Sequence, residues 1–455
     1  MYPKRTYKKW RTSVIPKIGD LNWALIKGFI ARSGTDQQVR RIVFSMVLRG
    51  VTMILGFANN LLLARWLSPA LLGSSASITG LMAIHGLFSN LNQDNELIRR
   101  LRPQNPPIGY LLGRVHLARM ARSAVAAAVL IAVMGAWGGL TPLQMVSGFV
   151  LLTALNCIPW WILGVRGDYT PQYVLMFVQA LVTLAGILLG MRFWPTAPVG
   201  SDLVVYASAY AATNLLMAFF LLGLKSDTPQ PRPAAGAPRI DRSLLLTGAM
   251  IAVYSGSDVL LAARLCTAHD AGVYRVAATI VAAVNSLWLV AQANVYPQLV
   301  HGTNGVPEWT SNRGLRLWIA GAAGLALTVG VLAVVVRLAI GARYSGVVEI
   351  SLVLGLAKAV GFVDAFWGLR MNAAGMNKEV LRVVAICGGM GILLSFLLCL
   401  WCGPIGLASG FLIAEIFMLA GIFRLSPRLK LRAQQYYQSA DSASPVGVQA
   451  LEKTC

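Results

Sequence analysis

Twelve apolar stretches, each about as long as a helix that crosses a membrane, dominate this sequence. A bilayer core is spanned by roughly 20 apolar residues in a helix. The mean hydropathy is +0.64 over 455 residues, and charged residues make up 12% of the chain. A soluble chain of this length would form two or three cores and would not need so few charges. We therefore predict an all-α polytopic membrane protein of about 12 transmembrane helices, with spans at about 42–66, 70–93, 121–139, 143–164, 172–194, 202–224, 244–263, 272–298, 315–337, 346–369, 381–402 and 404–424.

Turn-forming residues and one proline-rich loop divide these spans into segments. Ser68-Pro69 and Gly403-Pro404 are turn dipeptides at span boundaries. The longest internal loop carries four prolines and is typical of a flexible linker between two halves of six spans. We expect five segments: a basic cytoplasmic N-terminal extension (1–41), an N-terminal six-helix bundle (42–224), a cytoplasmic linker (225–243), a C-terminal six-helix bundle (244–424) and a cytoplasmic tail (425–455).

The distribution of basic residues predicts the orientation. The chain holds 39 Lys and Arg against 17 Asp and Glu, for a net charge of +22. With the N-terminus inside, 31 of the basic residues fall in segments on the inner side and six at outer ends. Cytoplasmic loops carry such an excess of Lys and Arg. We predict a multi-pass protein of the bacterial inner membrane with both termini cytoplasmic. The basic stretches lack the interleaved aromatic residues of a nucleic-acid groove, so no nucleic-acid partner is expected.

A faint internal repeat relates the two halves. Ala64 and Arg65 are followed by a glycine eight residues after the arginine, and Ala263 and Arg264 are followed by Gly272 in the same way. Both copies fall at the first hairpin of their half. Because each half has an even number of spans, the repeat is parallel, with its axis along the membrane normal. Such two-bundle architectures place a central cavity between the halves, and alternating access rocks one half against the other.

Charged side chains at membrane depth are the candidate functional residues, because burying a charge in a bilayer is costly. A cationic lining would suit an anionic substrate such as a diphosphate, which guanidinium groups bind through two hydrogen bonds. Two aspartates are candidates for coupling to H⁺ or Na⁺, or for neutralising these bases. The alternative is that polar groups serve as plain contacts between helices; Glu415, for example, would pair with a basic residue of a neighbouring helix. The candidates are Arg49, Arg65, Arg264, Arg275 and Lys358 for substrate, Asp258 and Asp364 for the coupling ion, and Asn60, Asn285 and Gln292 as polar cavity lining.

Signatures of catalysis or of a metal centre are weak. The four histidines are scattered, and none stands at metal-ligand spacing to another ligand. Cys399 and Cys402 form a C-x-x-C without a second pair or a histidine nearby, so we expect neither zinc nor redox chemistry there. No phosphate-binding loop or nucleophile elbow is present. We therefore expect no enzyme activity, no catalytic residue, no metal and no cofactor.

Several segments resemble polysaccharide-transport flippases, the lipid-linked oligosaccharide (Wzx-type) branch of the multidrug/oligosaccharidyl-lipid/polysaccharide superfamily. Residues 62–73 (LLARWLSPALLG) look like that family's first hairpin. Residues 255–258 (SGSD) with 270–275 (DAGVYR) are similar to its span 7–8 region, and residues 372–378 (NAAGMNK) to its span 10–11 turn. Arg65, Gly73, Asp258, Arg264 and Gly272 match family positions, whereas Arg49 and Lys358 do not belong to these motifs.

The resemblance implies a flippase that moves an undecaprenyl-diphosphate-linked oligosaccharide to the outer leaflet for exopolysaccharide, O-antigen or capsule synthesis. Its partners would be the lipid-linked oligosaccharide and membrane lipids, with a polysaccharide polymerase and a chain-length regulator as further candidates. An ion-coupled small-molecule antiporter of the multidrug branch is the first alternative, and a net acidic cavity would favour it. A polysaccharide polymerase or ligase is the second, although such enzymes use a large outer loop and the outer loops here are short.

Overall fold

The computed structural model describes residues 37–90, 101, 107–137, 139–166, 170–223, 242–300, 312–373 and 376–442. Most of the predicted extension (1–41), the linker (225–243) and the end of the tail lie outside these residues. The elements before the linker are referred to below as the N-terminal half and those after it as the C-terminal half. In the described residues of both halves the secondary structure is helical.

The described residues of the N-terminal half form eight helical elements. Ser68 accepts a hydrogen bond from the backbone of Leu71 and so caps α2, and a capping box between Thr141 and Gln144 begins α5. Pro159 separates α5 from α6, as a proline inside a predicted span should. The elements are α1 (Gln37–Trp66), α2 (Pro69–Ser74), α3 (Ala76–Asn90), α4 (Ile108–Ala136, with a π-helical turn at Leu111–His116), α5 (Pro142–Cys157), α6 (Trp160–Arg166), α7 (Thr170–Phe193) and α8 (Ser201–Gly223).

The C-terminal half is built from longer helices. The run Asn377–Ser442 is interrupted at Gly403, where φ is 60° and ψ is −144°. The two arms run back along each other so closely that a side chain on Gly410 would lie 2.4 Å from the Cα of Ser395. The Gly403-Pro404 turn predicted from the sequence is therefore confirmed. The elements are α9 (Arg242–Leu265), α10 (Ala268–Val300), α11 (Asn312–Ile340), a 3₁₀ turn (Ala342–Tyr344), α12 (Val347–Ala373), α13 (377–402) and α14 (404–442).

The helices account for the twelve predicted spans. By length and hydropathy alone, eight segments of the described chain qualify as membrane spans, and the last of them (Asn377–Leu425) contains both α13 and the first part of α14. The helices α3, α10 and α12 occupy the remaining predicted positions. The fold is thus an all-α polytopic membrane protein with two six-helix bundles related by a parallel pseudo-repeat.

Two boundaries differ from the sequence prediction. The third span begins at Ile108 rather than near 121, because three arginines between 114 and 122 made this helix look like a loop. Arg119 is nevertheless 4% exposed, and its guanidinium stacks on Trp161 at 5.7 Å. The last helix continues to Ser442, well beyond the predicted end near 424.

Candidate functional site: the junction between the halves

The two halves meet through the glycines of the internal repeat. A Cβ on Gly73 would lie 1.7 Å from the carbonyl oxygen of Ala268, and a Cβ on Gly272 would lie 1.8 Å from the carbonyl oxygen of Pro69. No side chain fits at such distances, and the obstructing atoms are backbone. The hairpin α1–α2 and the hairpin α9–α10 are therefore pressed against each other by residues that occupy equivalent positions in the repeat. This arrangement explains why both copies of the repeat carry glycine.

A buried ion pair joins the halves beside these glycines. Arg275 of α10 donates to Asp202 of α8 at 2.6 Å and to the carbonyl oxygen of Leu72 at 3.0 Å. The side chains of Arg275 and Asp202 are 9% and 1% exposed. The other oxygen of Asp202 accepts a hydrogen bond from Ser75 at 2.8 Å. Asp202 also lies in the first turn of α8, where the helix dipole favours a carboxylate. We refer to Leu72, Gly73, Asp202, Gly272 and Arg275 as the inter-half junction.

Further donors of the C-terminal half bind backbone carbonyls at the ends of N-terminal helices. Arg264 reaches the carbonyl oxygen of Met134 at 3.5 Å and stacks on Trp137 at 5.7 Å. Arg343 donates to the carbonyl oxygens of Ala64 and Arg65, and Tyr344 donates to that of Leu67 at 3.1 Å. Carbonyls in the last turn of a helix have no partner within it and carry partial negative charge. Arginines of one half thus hold the helix ends of the other.

Small residues bring the halves together deeper in the structure. A Cβ on Gly80 of α3 would lie 2.8 Å from the backbone nitrogen of Leu260 in α9. One on Gly256 would lie 2.9 Å from the carbonyl oxygen of Gly80. Membrane helices that approach each other closely commonly use such residues. The contact between the halves therefore extends from the inter-half junction along α3 and α9.

A cavity of about 260 Å³ lies within the C-terminal half, between α9, α10, α12, α13 and α14. The Lys358 ammonium lies 3.8 Å from the Glu415 carboxylate, which confirms the expected pairing of Glu415 with a basic neighbour. Asp364 is 6% exposed, and its Oδ2 has no hydrogen-bond partner within the described chain. The charged lining therefore contains two carboxyl groups and one ammonium, and is net acidic. Its polar and aromatic lining includes Tyr254, Asn285, Lys358, Phe362, Asp364 and Glu415.

The residues predicted for the coupling ion and for the polar lining are divided between two places, because Asp364 and Asn285 line this cavity whereas Asp258 and Asn60 are not among its lining residues. Asp258 accepts a hydrogen bond from the backbone of Val259 at 2.7 Å, and the Lys358 charge lies within electrostatic range of it. Asn60 is held by Gly56 and by Tyr206, and it lines a narrow gap between α1 and α10 together with Arg275. Gln292 lies in α10, but its side chain is outside the described part. No cluster of three His, Cys, Asp or Glu suited to a metal occurs among the described residues.

The five predicted cations do not share one cavity. Arg49 is half-buried in α1 and stacks on Tyr173 of α7 at 6.0 Å. Arg65 is exposed at the end of α1. Arg264 and Arg275 lie between the halves, and Lys358 lies inside the C-terminal half. The structure thus places two of the five at the contact between the halves.

Sequence reasoning missed the acidic partner at this contact. In the sequence, Asp202 is only the first residue of the span predicted at 202–224. An acidic residue at the end of a span nevertheless indicates a possible partner for a buried arginine, because a buried arginine needs one. His85 was also passed over: it is fully buried in α3 and bonds to the carbonyl oxygen of Ser123 at 2.9 Å.

Comparisons with known proteins concern the fold. No protein-family model matches this sequence, and no curated protein matches it. Two solved structures resemble it over most of its length. One, described as the lipid II flippase MurJ in its inward closed conformation, has 15% identity and a TM-score of 0.54 over 85% of this chain and 87% of that one. The other, an inward-facing multidrug resistance MATE family transporter of the MOP superfamily, has 13% identity and a TM-score of 0.59 over 85% of this chain and 99% of that one.

The chain shares its fold with these two solved structures. At these identities the likeness establishes architecture and not substrate.

Proposed function

We propose that this protein is a transporter that moves an undecaprenyl-diphosphate-linked oligosaccharide across the bacterial inner membrane by alternating access. The observation that carries the proposal is the inter-half junction. Equivalent hairpins of the two halves meet through reciprocal glycine contacts and a buried ion pair that crosses between the halves. A junction of this kind closes one side of a cavity, and breaking it opens that side.

The arginines between the halves suit an anionic lipid headgroup. In the closed arrangement Arg264 and Arg275 bind helix carbonyls and Asp202. When the halves separate, the guanidinium groups lose these partners and become free to bind a diphosphate. Since Arg keeps its charge when desolvated, a diphosphate arriving at the opening would replace the lost contacts. The polyprenyl tail would stay in the bilayer during this exchange.

The orientation predicted from the basic residues puts the inter-half junction on the outer side of the membrane. The structure would then be closed to the periplasm. We propose that substrate enters from the cytoplasmic leaflet in this state.

The ionic cavity in the C-terminal half is our candidate for energy coupling. Glu415 lies at ion-pair distance from Lys358, and Asp364 lines the same cavity. Among the described charged groups of the lining, the set therefore holds one excess negative charge that a proton or Na⁺ would neutralise. Asp258 adds a further carboxyl group near Lys358. Charging or neutralising this set would change the packing of α9 against α14, where Tyr254 contacts Phe411, and α9 carries Arg264 to the contact between the halves.

A second candidate function is an ion-coupled antiporter for small cationic molecules. The net acidic lining of the C-terminal cavity favours it, because carboxyl groups attract cations. The arginines at the junction argue for an anionic substrate. The two functions therefore make opposite predictions for removal of these arginines.

Deletion and rescue in the native host would test the proposal. The readouts are surface polysaccharide and the leaflet in which the lipid-linked repeat unit accumulates. Rescue would be repeated at matched expression with Arg49→Ala, Arg264→Ala, Lys358→Ala and Asp258→Ala. Arg192→Ala is a matched control, because Arg192 is exposed at the end of α7. A lost charge-assisted hydrogen bond is worth about 1.5–3 kcal/mol, so an arginine that binds the diphosphate should cost roughly 10–100-fold in transport rate.

Accumulation of repeat units on the cytoplasmic side, with failed rescue by Arg264→Ala but not by Arg192→Ala, would support the flippase. Normal polysaccharide with raised sensitivity to cationic drugs would instead establish the antiporter. Repeat units that reach the periplasm but are not polymerised or ligated would identify a polymerase or ligase.

A further inference from the structure

Two cysteines far apart in sequence lie side by side at the junction end of the C-terminal half. The Sγ atoms of Cys266 and Cys399 are 3.4 Å apart, across 133 residues of chain. Cys266 lies in the turn between α9 and α10, and Cys399 lies near the end of α13, where it is 4% exposed. A disulfide requires about 2.0 Å between the sulfur atoms. An approach of about 1.4 Å, within reach of small side-chain rotations, would close the bond.

The location of the pair makes oxidation chemically reasonable. Both cysteines lie at the end of the bundle that carries the junction, and the excess of Lys and Arg at the opposite ends predicts that this end faces outward. Disulfides form and persist in oxidising compartments such as the periplasm. We propose that Cys266 and Cys399 form a structural disulfide in the mature protein.

The bond would form by thiol–disulfide exchange with a disulfide-bearing oxidant, either an oxidoreductase or a small-molecule disulfide. Before burial of the pair raises the thiol pKa, one cysteine thiolate attacks the donor and gives a mixed disulfide, with release of the first donor thiol. The second cysteine thiolate then attacks the mixed disulfide and releases the second donor thiol. Two cysteine protons and two electrons pass to the donor, so one donor disulfide becomes two thiols.

The cross-link would stiffen the part of the C-terminal half that presents the junction. Cys266 lies a few residues before Gly272 and Arg275, on the hairpin pressed against the N-terminal half. A bond to α13 ties this hairpin to its own half and not to the opposite one. The halves therefore remain free to separate while the hairpin keeps its shape.

The chain offers internal controls. Cys402 lies one helical turn after Cys399 and is exposed, whereas Cys157 and Cys387 lie elsewhere in the bundles. Burial raises the pKa of the Cys266 thiol to about 12. Little thiolate is then present near neutral pH, and alkylation of the native protein would be slow even if the thiol were free. Alkylation is therefore carried out on unfolded protein.

The test uses the full chain in cells of a Gram-negative host. Cells are quenched in acid, the protein is unfolded in detergent with N-ethylmaleimide, then reduced and treated with deuterated N-ethylmaleimide, and each cysteine peptide is analysed by mass. We expect Cys266 and Cys399 to carry the deuterated label, which is added after reduction. We expect Cys157 and Cys387 to carry the first, undeuterated label. In Cys266→Ser, Cys399 should change to the first label, whereas Cys402→Ser should leave the pair oxidised.

Two results would overturn the proposal. One is that both Cys266 and Cys399 carry the first, undeuterated label in protein taken from cells. This result counts against the proposal even if the purified protein forms the bond when diamide is added. The other is a disulfide between Cys399 and Cys402. The test does not depend on the transported substrate, so failure of the proposed function would leave it intact. Stability and function give two further readouts. Cys266→Ser should unfold at a lower temperature than Cys402→Ser, and it should still support transport.

Discussion

At the scale of single residues, the pair of Asp202 and Arg275 decides whether the inter-half junction holds. Removing one partner of a buried ion pair leaves an uncompensated charge and costs about 3–5 kcal/mol. We predict that Asp202→Asn and Arg275→Gln each destabilise the folded protein by about this amount in denaturant unfolding. The double variant Asp202→Asn/Arg275→Gln should lose less than the sum, because neither charge is then stranded.

Asp270→Asn is the matched control for this cycle, since it makes the same substitution at a surface carboxylate bonded to Thr267. Its effect should stay within about 0.5 kcal/mol. Strict additivity of the two junction substitutions would show that the ion pair contributes nothing to the contact between the halves.

The same residues show what the sequence could and could not predict. Arg275 was identified because a charge at membrane depth is costly wherever the neighbouring helices lie. Its partner Asp202 is 73 residues away, and hydropathy does not reveal which helices are neighbours. Arg119 shows the converse. Its charge predicts a loop, but the residue lies in α4, because hydropathy reflects the charge of a side chain and not the direction in which it points.

At the scale of helices, the reciprocal glycines set how closely the two hairpins approach. We predict that Gly73→Ala and Gly272→Ala each force the hairpins apart, because the new methyl group would overlap backbone atoms that cannot rotate away. Leu72 is 3% exposed and reports on this separation. In a Leu72→Cys background without Cys402, labelling by a water-soluble maleimide should be faster in either alanine variant than in the parent.

Gly50→Ala and Gly324→Ala are the controls, since a Cβ at either position meets no atom within 4 Å. Unchanged labelling in Gly73→Ala and Gly272→Ala, in protein that is folded by circular dichroism, would contradict a closed junction. The turn at Gly403 was predicted from sequence because proline follows glycine there, whereas the glycine contacts at the junction join segments about 200 residues apart and need the fold.

At the scale of the whole molecule, the side of the membrane to which this conformation is closed depends on which face the junction occupies. The distribution of Lys and Arg predicts that the junction end lies outside, and Cys402 is an exposed thiol at that end. We predict that a membrane-impermeant maleimide labels Cys402 in intact spheroplasts. A cysteine placed in the predicted linker by Ser226→Cys, in a background with Cys402→Ser, should react only after the membrane is permeabilised. Cys455 is replaced by serine in both proteins, so that each has one candidate thiol outside the bundles.

The opposite labelling pattern, in which the linker cysteine reacts in intact spheroplasts and Cys402 only after permeabilisation, would reverse the topology and have further consequences. The closed junction would then face the cytoplasm, and Arg264 and Arg275 would be exposed to substrate on the inner side when the halves separate. Cys266 and Cys399 would lie in a reducing compartment, where a structural disulfide does not persist. A single labelling experiment therefore determines the side to which this conformation is closed, the side from which the arginines meet a diphosphate and the chemistry open to the cysteine pair, because all three depend on the same end of the bundle.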